Sequence, residues 1–205
     1  MESPTPNQST LRVTLVAWEI ELEYAWKDAF SGVAEVEVVP GSILTRSGDA
    51  LVSPANSFGY MDGGLDLLIS ERFGWDLEKR VRERILTAHC GELLVGEALV
   101  VETNDPAIPW LISAPTMRVP MRVENTVNAF LAFRAVLRTA RAHPAIEHVL
   151  CPGLGTGEGR MDPKTCARQM RRAWDAVVRG ELVRLGGLAG AVRHHLELLG
   201  QDPGG

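Results

Sequence analysis

Asn56, a carboxamide, and Asp66, a carboxylate, bracket the glycine pair Gly63-Gly64 in the stretch ALVSPANSFGYMDGGLDLLISERFG, residues 50–74. The apolar run 50–52 reads as a buried strand; Pro54 and Asn56 end it, Gly63 and Gly64 form a loop, and Asp66 opens a helical run. A strand end, a glycine-lined loop and a helix N-terminus bring free backbone N–H groups and partial positive charge to one point. That is the chemistry of an anion site. A second stretch, CPGLGTGEGRMDP at residues 151–163, offers the same again. Its alternating Gly153, Gly155, Gly157 and Gly159 allow successive amides to turn inward as an anion-binding nest, with Asp162 and Pro163 as cap and first position of the next helix. A glycine-rich run taken alone is also the mark of a tight structural turn; two of them, each at a strand end, favour a ligand, because open α/β sheets bind ligands beyond the carboxyl ends of their strands. The second loop is no Walker A loop, since no lysine follows the glycines, and it lacks the spacing and early position of a dinucleotide fingerprint.

The elements that must position these loops follow from periodicity. Residues 11–18 alternate as a strand, and 20–30 follow as a helix with Leu22, Trp26 and Phe30 on one face. Strands are expected at 34–39, 50–52, 96–102, 110–114 and 148–152. Helices are expected after Asp66, over 77–89 with Asp76 as N-cap and Leu77, Val81, Ile85 and Ala88 as its stripe, and over 125–142 with Phe130, Phe133 and Leu137 facing inward. A further helix follows Asp162, with Cys166, Met170, Trp174 and Val177 as its buried stripe, and residues 180–199 read as helical. Strands alternating with helices predict a layered α/β domain with a largely parallel or mixed sheet. One domain over 11–200 is expected, between disordered tails at 1–10 and 201–205.

Composition narrows the ligand. The chain has 205 residues, 45% of them apolar and 23% charged, an ordinary globular mixture that can bury a core. Its net charge of −5, with both signs interspersed, advertises no basic face for duplex nucleic acid or anionic lipid, so a compact ligand is expected. Cys90, Cys151 and Cys166 are odd in number and share no metal-type spacing, which predicts reduced thiols in a cytoplasmic protein; no signal peptide or membrane-spanning run is apparent. Neither a metal nor a cofactor is expected. Cys151, in an apolar strand, reads as a small hydrophobe, His194-His195 as a solvated helix face, and the five tryptophans as core residues.

The two loops, in this order, give the chain a resemblance to the macrodomain family, the ADP-ribose-binding module. The family's apolar strand, Ala-Asn pair, Gly-rich loop, hydrophobic residue and Asp are similar to residues 51–66, with Ala55-Asn56 and Gly63-Gly64-Leu65-Asp66 matching without a gap. Its Thr-Gly-Glu-Ala element is similar to Val95-Gly96-Glu97-Ala98, and its Pro-x-x-Ser-Thr-Gly phosphate loop resembles Pro152-Gly153-Leu154-Gly155-Thr156-Gly157. The likeness covers about residues 35–178.

This resemblance implies a three-layer α-β-α fold with a mixed, mostly parallel central sheet. It implies Asn56 at the distal ribose, amides of Gly63, Gly64 and Leu65 on ribose and diphosphate, and Gly155, Thr156, Gly157, Glu158 and Gly159 wrapped around the phosphates. Asp66 would point near the anomeric carbon, where the matching Asp of hydrolytic members activates or positions a water. The alternative for Asp66 is a helix N-cap and nothing more. Where the family carries Gly-Asp-Ile-Thr, with the Asp on the adenine amino group, this chain has Gly41-Ser42-Ile43-Leu44, so Ser42 and Ile43 fall at the adenine end. Asp62 stands where glycine is commoner, a place where its charge needs an offset such as Arg160, and Met161 is the nearest counterpart of the aromatic that packs on the ligand. Three readings follow: a hydrolase releasing ADP-ribose from a protein, nucleic acid or small ester; a reader or sensor without turnover; and a binder of another sugar nucleotide.

Overall fold

The computed structural model describes residues 11–181 and 185–201; the tails expected at 1–10 and, Gln201 apart, at 201–205 lie outside the described residues. Among the described residues six strands and six α-helices follow one another as β1 (Arg12–Ala17), α1 (Ile20–Ala29), β2 (Val36–Pro40), β3 (Ala50–Ser53), α2 (Gly64–Phe73), α3 (Asp76–Ala88), β4 (Leu99–Glu102), β5 (Trp110–Ser113), α4 (Asn128–Ala142), β6 (His148–Cys151), α5 (Pro163–Val177) and α6 (Leu188–Leu199). The strands form one sheet in the order β2-β1-β6-β3-β5-β4. Each neighbouring pair is parallel except β4 with β5. The carboxyl ends of five strands therefore open onto one edge of the sheet, and the expectation of a mixed, mostly parallel sheet holds.

Side-chain alternation sorts the two faces. Ala50 and Val52 of β3, Val149 and Cys151 of β6 and Ile112 of β5 join Leu22, Trp26, Phe133, Met170 and Trp174 in a core beneath α1, α4 and α5. The intervening Leu51, Leu150 and Leu111 join Ile69, Leu77, Val81 and Ile85 in a second core beneath α2 and α3. Sheet and two helical layers thus make the three-layer arrangement that the resemblance implied, and the layered α/β domain that the alternating pattern predicted. Gln169, fully buried on α5, ties three elements together: its carbonyl accepts the Phe130 N–H at 3.1 Å, and its amide donates to the Thr126 and Leu198 carbonyls at 2.8 and 3.3 Å.

Several boundaries and roles differ from expectation. Strand β4 begins at Leu99 rather than at 96, because Glu97 N–H turns back to the Leu94 carbonyl at 2.9 Å. Asp76 is the first residue of α3 rather than its cap, and its carboxylate goes to Lys79 at 2.7 Å. Trp26 and Trp174 are core residues, but Trp18 and Trp75 are 81% and 50% exposed, since each sits at a junction between elements rather than on an inward stripe. His194 is half-buried, packed edge-on against Phe130 with ring centres 5.9 Å apart, whereas His195 is solvated. Burial holds the His194 imidazole below its ordinary pKa.

Candidate functional site

Ser53 ends β3 on the face of Leu51, which points it at α2. There its hydroxyl donates to Asp66 Oδ1 at 2.7 Å. The helix starts at Gly64 with Gly63 at the cap position, so Asp66 lies inside the first turn and is not an N-cap. Its side chain is buried, and burial pushes the carboxyl up to about 7, the Ser53 hydrogen bond pulling it down and the charge of Glu78 adding to the rise. Ser113, paired with Ser53 in the β3–β5 register, places a second buried hydroxyl on this face, without a hydrogen-bond partner among the described residues. The floor between β3 and α2 is thus polar and buried, and its carboxyl can exchange a proton near neutral pH.

The loop ahead of α2 is shaped by Asn56. Its side-chain carbonyl accepts the Phe58 and Tyr60 N–H groups at 3.1 and 3.3 Å, and its amide donates to the Tyr60 carbonyl at 2.7 Å. Asn56 therefore folds the loop first, an Asx-type arrangement that occupies its acceptor and one of its donors. Gly63 and Gly64 are exposed, Gly64 at φ +55°, and Leu65 is half-buried. Among the described residues, no acceptor takes the N–H groups of Gly63, Gly64 or Leu65, which lie at the positive end of α2.

Strand β6 neighbours β3, so the second glycine loop leaves the sheet beside the first. Gly155 takes φ +76°, and its carbonyl accepts the Met161 N–H at 2.9 Å. Arg160 closes the turn with φ +54° and its N–H on the Gly157 carbonyl at 3.1 Å. The N–H groups of Gly155, Thr156, Gly157, Glu158 and Gly159 have no acceptor among the described residues, so the loop is a nest of free donors at the head of α5. Asp162 caps that helix as expected, accepting the Thr165 N–H at 2.9 Å, and Pro163 follows it. Glu158 and Asp62 are both exposed at the loops, as are Gly157 and Arg160.

Two expected ligand residues face inward instead. Met161 is 2% exposed and packs under Gly155 in the first core, where it supports the loop from below. Ile43 is 5% exposed in the second core, in a short 3-10 turn, Ile43–Thr45, that Ser42 caps by accepting the Leu44 N–H at 3.3 Å. Cys151 and Cys166 flank the second loop but are buried, which pushes the Cys166 thiol up to about 12 and Cys151 well above its ordinary range; both behave as small hydrophobes.

A segment read only as a connection joins the two loops. After β5, Thr116 N–H bonds the Ala55 carbonyl at 3.0 Å and the Arg118 carbonyl accepts the Ser57 N–H at 3.1 Å. Five residues on, Val123 N–H bonds the Gly159 carbonyl at 2.8 Å. Residues 116–123 thus stitch the β3 loop to the β6 loop by backbone bonds, a role that leaves no side-chain signature in the sequence. A groove of about 740 Å³ between α1 and α5, lined by Tyr24, Lys164, Arg168 and Arg172 among others, lies outside both loops. The described residues hold no group of three or more His, Cys, Asp or Glu placed to bind a metal ion, and no described helix is long and apolar enough to cross a membrane.

Comparison with known proteins agrees with this geometry. An uncharacterized protein of Aquifex aeolicus (strain VF5) is 32% identical over 136 residues, 66% of this chain and 78% of that one. The fold is similar to the macrodomain of Mycobacterium tuberculosis DarG (TM-score 0.57, 23% identity, covering 66% of this chain and 86% of that one) and to Thermosipho africanus DarTG in complex with ADP-ribose (TM-score 0.55, 15% identity, covering 78% and 50%). The family model for the Macro domain matches residues 52–170, both glycine loops included. The chain belongs to the Macro domain family.

Proposed function

We propose that this chain, acting as one unit over residues 11–200, binds ADP-ribose across the two loops and hydrolyses it from a modified substrate. The observation that carries this reading is two rows of N–H groups without an acceptor among the described residues, 63–65 and 155–159, in the segments that follow the neighbouring strands β3 and β6, with Asp66 buried in the first turn of α2. The nest takes the diphosphate, and the start of α2 takes the ribose. The bound ADP-ribose of the Thermosipho africanus structure supports the choice of ligand. Free thiols at Cys90, Cys151 and Cys166 fit a reducing, cytoplasmic setting.

Hydrolysis follows from the carboxyl. As the bond from the anomeric carbon to the carrier breaks, positive charge grows on the sugar, and a carboxylate nearby stabilises it. Water adds to the anomeric carbon, Asp66 takes the proton that the water loses, and the departing group receives a proton in turn. A pKa near 7 lets Asp66 serve at neutral pH. Titration calorimetry with ADP-ribose, with ADP and an unrelated sugar nucleotide as controls, tests the binding. Selective affinity with Kd on the order of micromolar is expected, and absence of binding would overturn the reading while leaving the fold untouched.

A further inference from the structure

The turn that offers the 63–65 amides is held from behind by α3. Glu78, its side chain 16% exposed, accepts the Met61 N–H through Oε2 at 3.0 Å, while Ser70 of α2 donates its hydroxyl to the Met61 carbonyl at 3.1 Å. Both backbone polar groups of Met61 are thereby fixed, each by a different helix. One turn along α3, Arg82 stands 3.6 Å from Glu78, donates to the Tyr60 hydroxyl at 3.3 Å, and holds its guanidinium carbon 4.3 Å from the centre of the Tyr60 ring. The loop lies flat on the same helix at Gly59, where a Cβ would come within 2.8 Å of Ile85 and 2.9 Å of Val81.

Beyond Met61 the chain enters α2, where the Gly63 carbonyl accepts the Leu67 N–H at 3.2 Å. A Cβ at Gly63 or Gly64 would meet nothing within 4 Å, so no side-chain packing adds to that hold on the N-terminal side, which is left to Met61. Asp62 alone separates the fixed Met61 from Gly63. We propose that Glu78 and Arg82 are positioning residues, which set the height of residues 60–62 from α3 and so keep the Gly63, Gly64 and Leu65 N–H groups converged on the ligand; this rests on the ligand reading above. Glu78 is effective because it gives a partly buried backbone N–H its acceptor, and a buried donor left without one costs free energy, whereas its ion pair with the half-exposed Arg82 contributes little by itself.

The test uses the full chain with Glu78→Ala, Glu78→Gln and Arg82→Met, read by ADP-ribose calorimetry and by amide hydrogen exchange at Met61. Glu78→Ala is expected to weaken affinity by about tenfold and to speed Met61 exchange by about tenfold. Glu78→Gln keeps the acceptor and should stay within about threefold of the parent on both readouts, a rescue that a general loss of α3 stability would not give. Arg82→Met should fall between them, and it decides the matter if Glu78→Ala does not fold. Unchanged affinity and exchange in Glu78→Ala overturns the proposal; so does a Gln variant as impaired as the Ala one, which would make the charge and not the hydrogen bond responsible. If the parent protein binds no ADP-ribose, the ligand reading fails by itself, and Met61 exchange alone judges the clamp.

Discussion

Asp66→Asn is expected to lower turnover of an ADP-ribosylated substrate by about a thousandfold or more while Kd for ADP-ribose stays within about threefold. The substitution keeps the volume of a buried side chain and leaves an oxygen to accept the Ser53 hydroxyl, so the loop and its amides are undisturbed. What it removes is the proton acceptor. Turnover by the parent should rise with pH through about 7, as burial places the Asp66 carboxyl there, and should lose that dependence in the variant. Stability gives an independent check with a defined sign. The folded-state pKa is raised from 3.8 to about 7, so between these values the unfolded chain gives up its proton while the folded one keeps it. Folding stability therefore falls as pH rises through that window and is flat above it, by up to roughly 4 kcal/mol for a shift of this size. Asp66→Asn should accordingly melt higher than the parent at pH 8 and lose that advantage at pH 4. Retained turnover in the variant would remove Asp66 from the chemistry; a parent that binds ADP-ribose but turns nothing over would be a reader.

Gly159→Ala is expected to damage folding and binding together. A Cβ at this position would stand 2.5 Å from the Gly155 carbonyl oxygen and 2.6 Å from a Val123 methyl. Neither neighbour can give way cheaply: the Gly155 carbonyl accepts the Met161 N–H, and Val123 is bonded through its own N–H to Gly159. The expected cost is about 2–4 kcal/mol, a fall in Tm of about 5–15 °C, and ADP-ribose affinity should drop by about a hundredfold as the nest opens. Gly157→Ala is the control for folding, because a Cβ there meets nothing within 4 Å and the backbone is not left-handed, so its Tm should match the parent's. Thermal melts and calorimetry of the two variants side by side decide; a Gly159→Ala protein with parental Tm and Kd would show that the loop is not rigid.

Much of this could be read from the chain because the informative signals are local. The short apolar runs at 50–52 and 148–152 marked buried strands, whose successive residues the structure places in opposite cores, and the glycines of 153–159 with Asp162 and Pro163 marked a strand-to-helix turn that the structure contains. The misreadings also have physical causes. The alternative of Asp66 as a cap arose because caps and first-turn acids share a residue type, and the start of α2 at Gly64, with Gly63 at the cap position, separates them. Met161 follows the second loop and Ile43 lies in the turn ahead of β3, but both face the cores, a matter of orientation that their place in the sequence does not fix. The stitch by residues 116–123 and the hold of Glu78 on Met61 are made to backbone groups far away in sequence, and a backbone N–H is the same at every residue type.

Strand β1 comes first in the chain but lies inside the sheet, between β2 and β6. Its partner β6 is apolar on both faces, with Val149, Leu150 and Cys151 almost wholly buried. A shortened form that began at β3 would keep both glycine loops yet leave β6 as an open edge, with a row of unpaired N–H and carbonyl groups between hydrophobic side chains. Such an edge is a template for pairing with other chains. The N-terminal strand therefore shields the strand that carries the second glycine loop from self-association, and aggregation would be the first symptom of its loss.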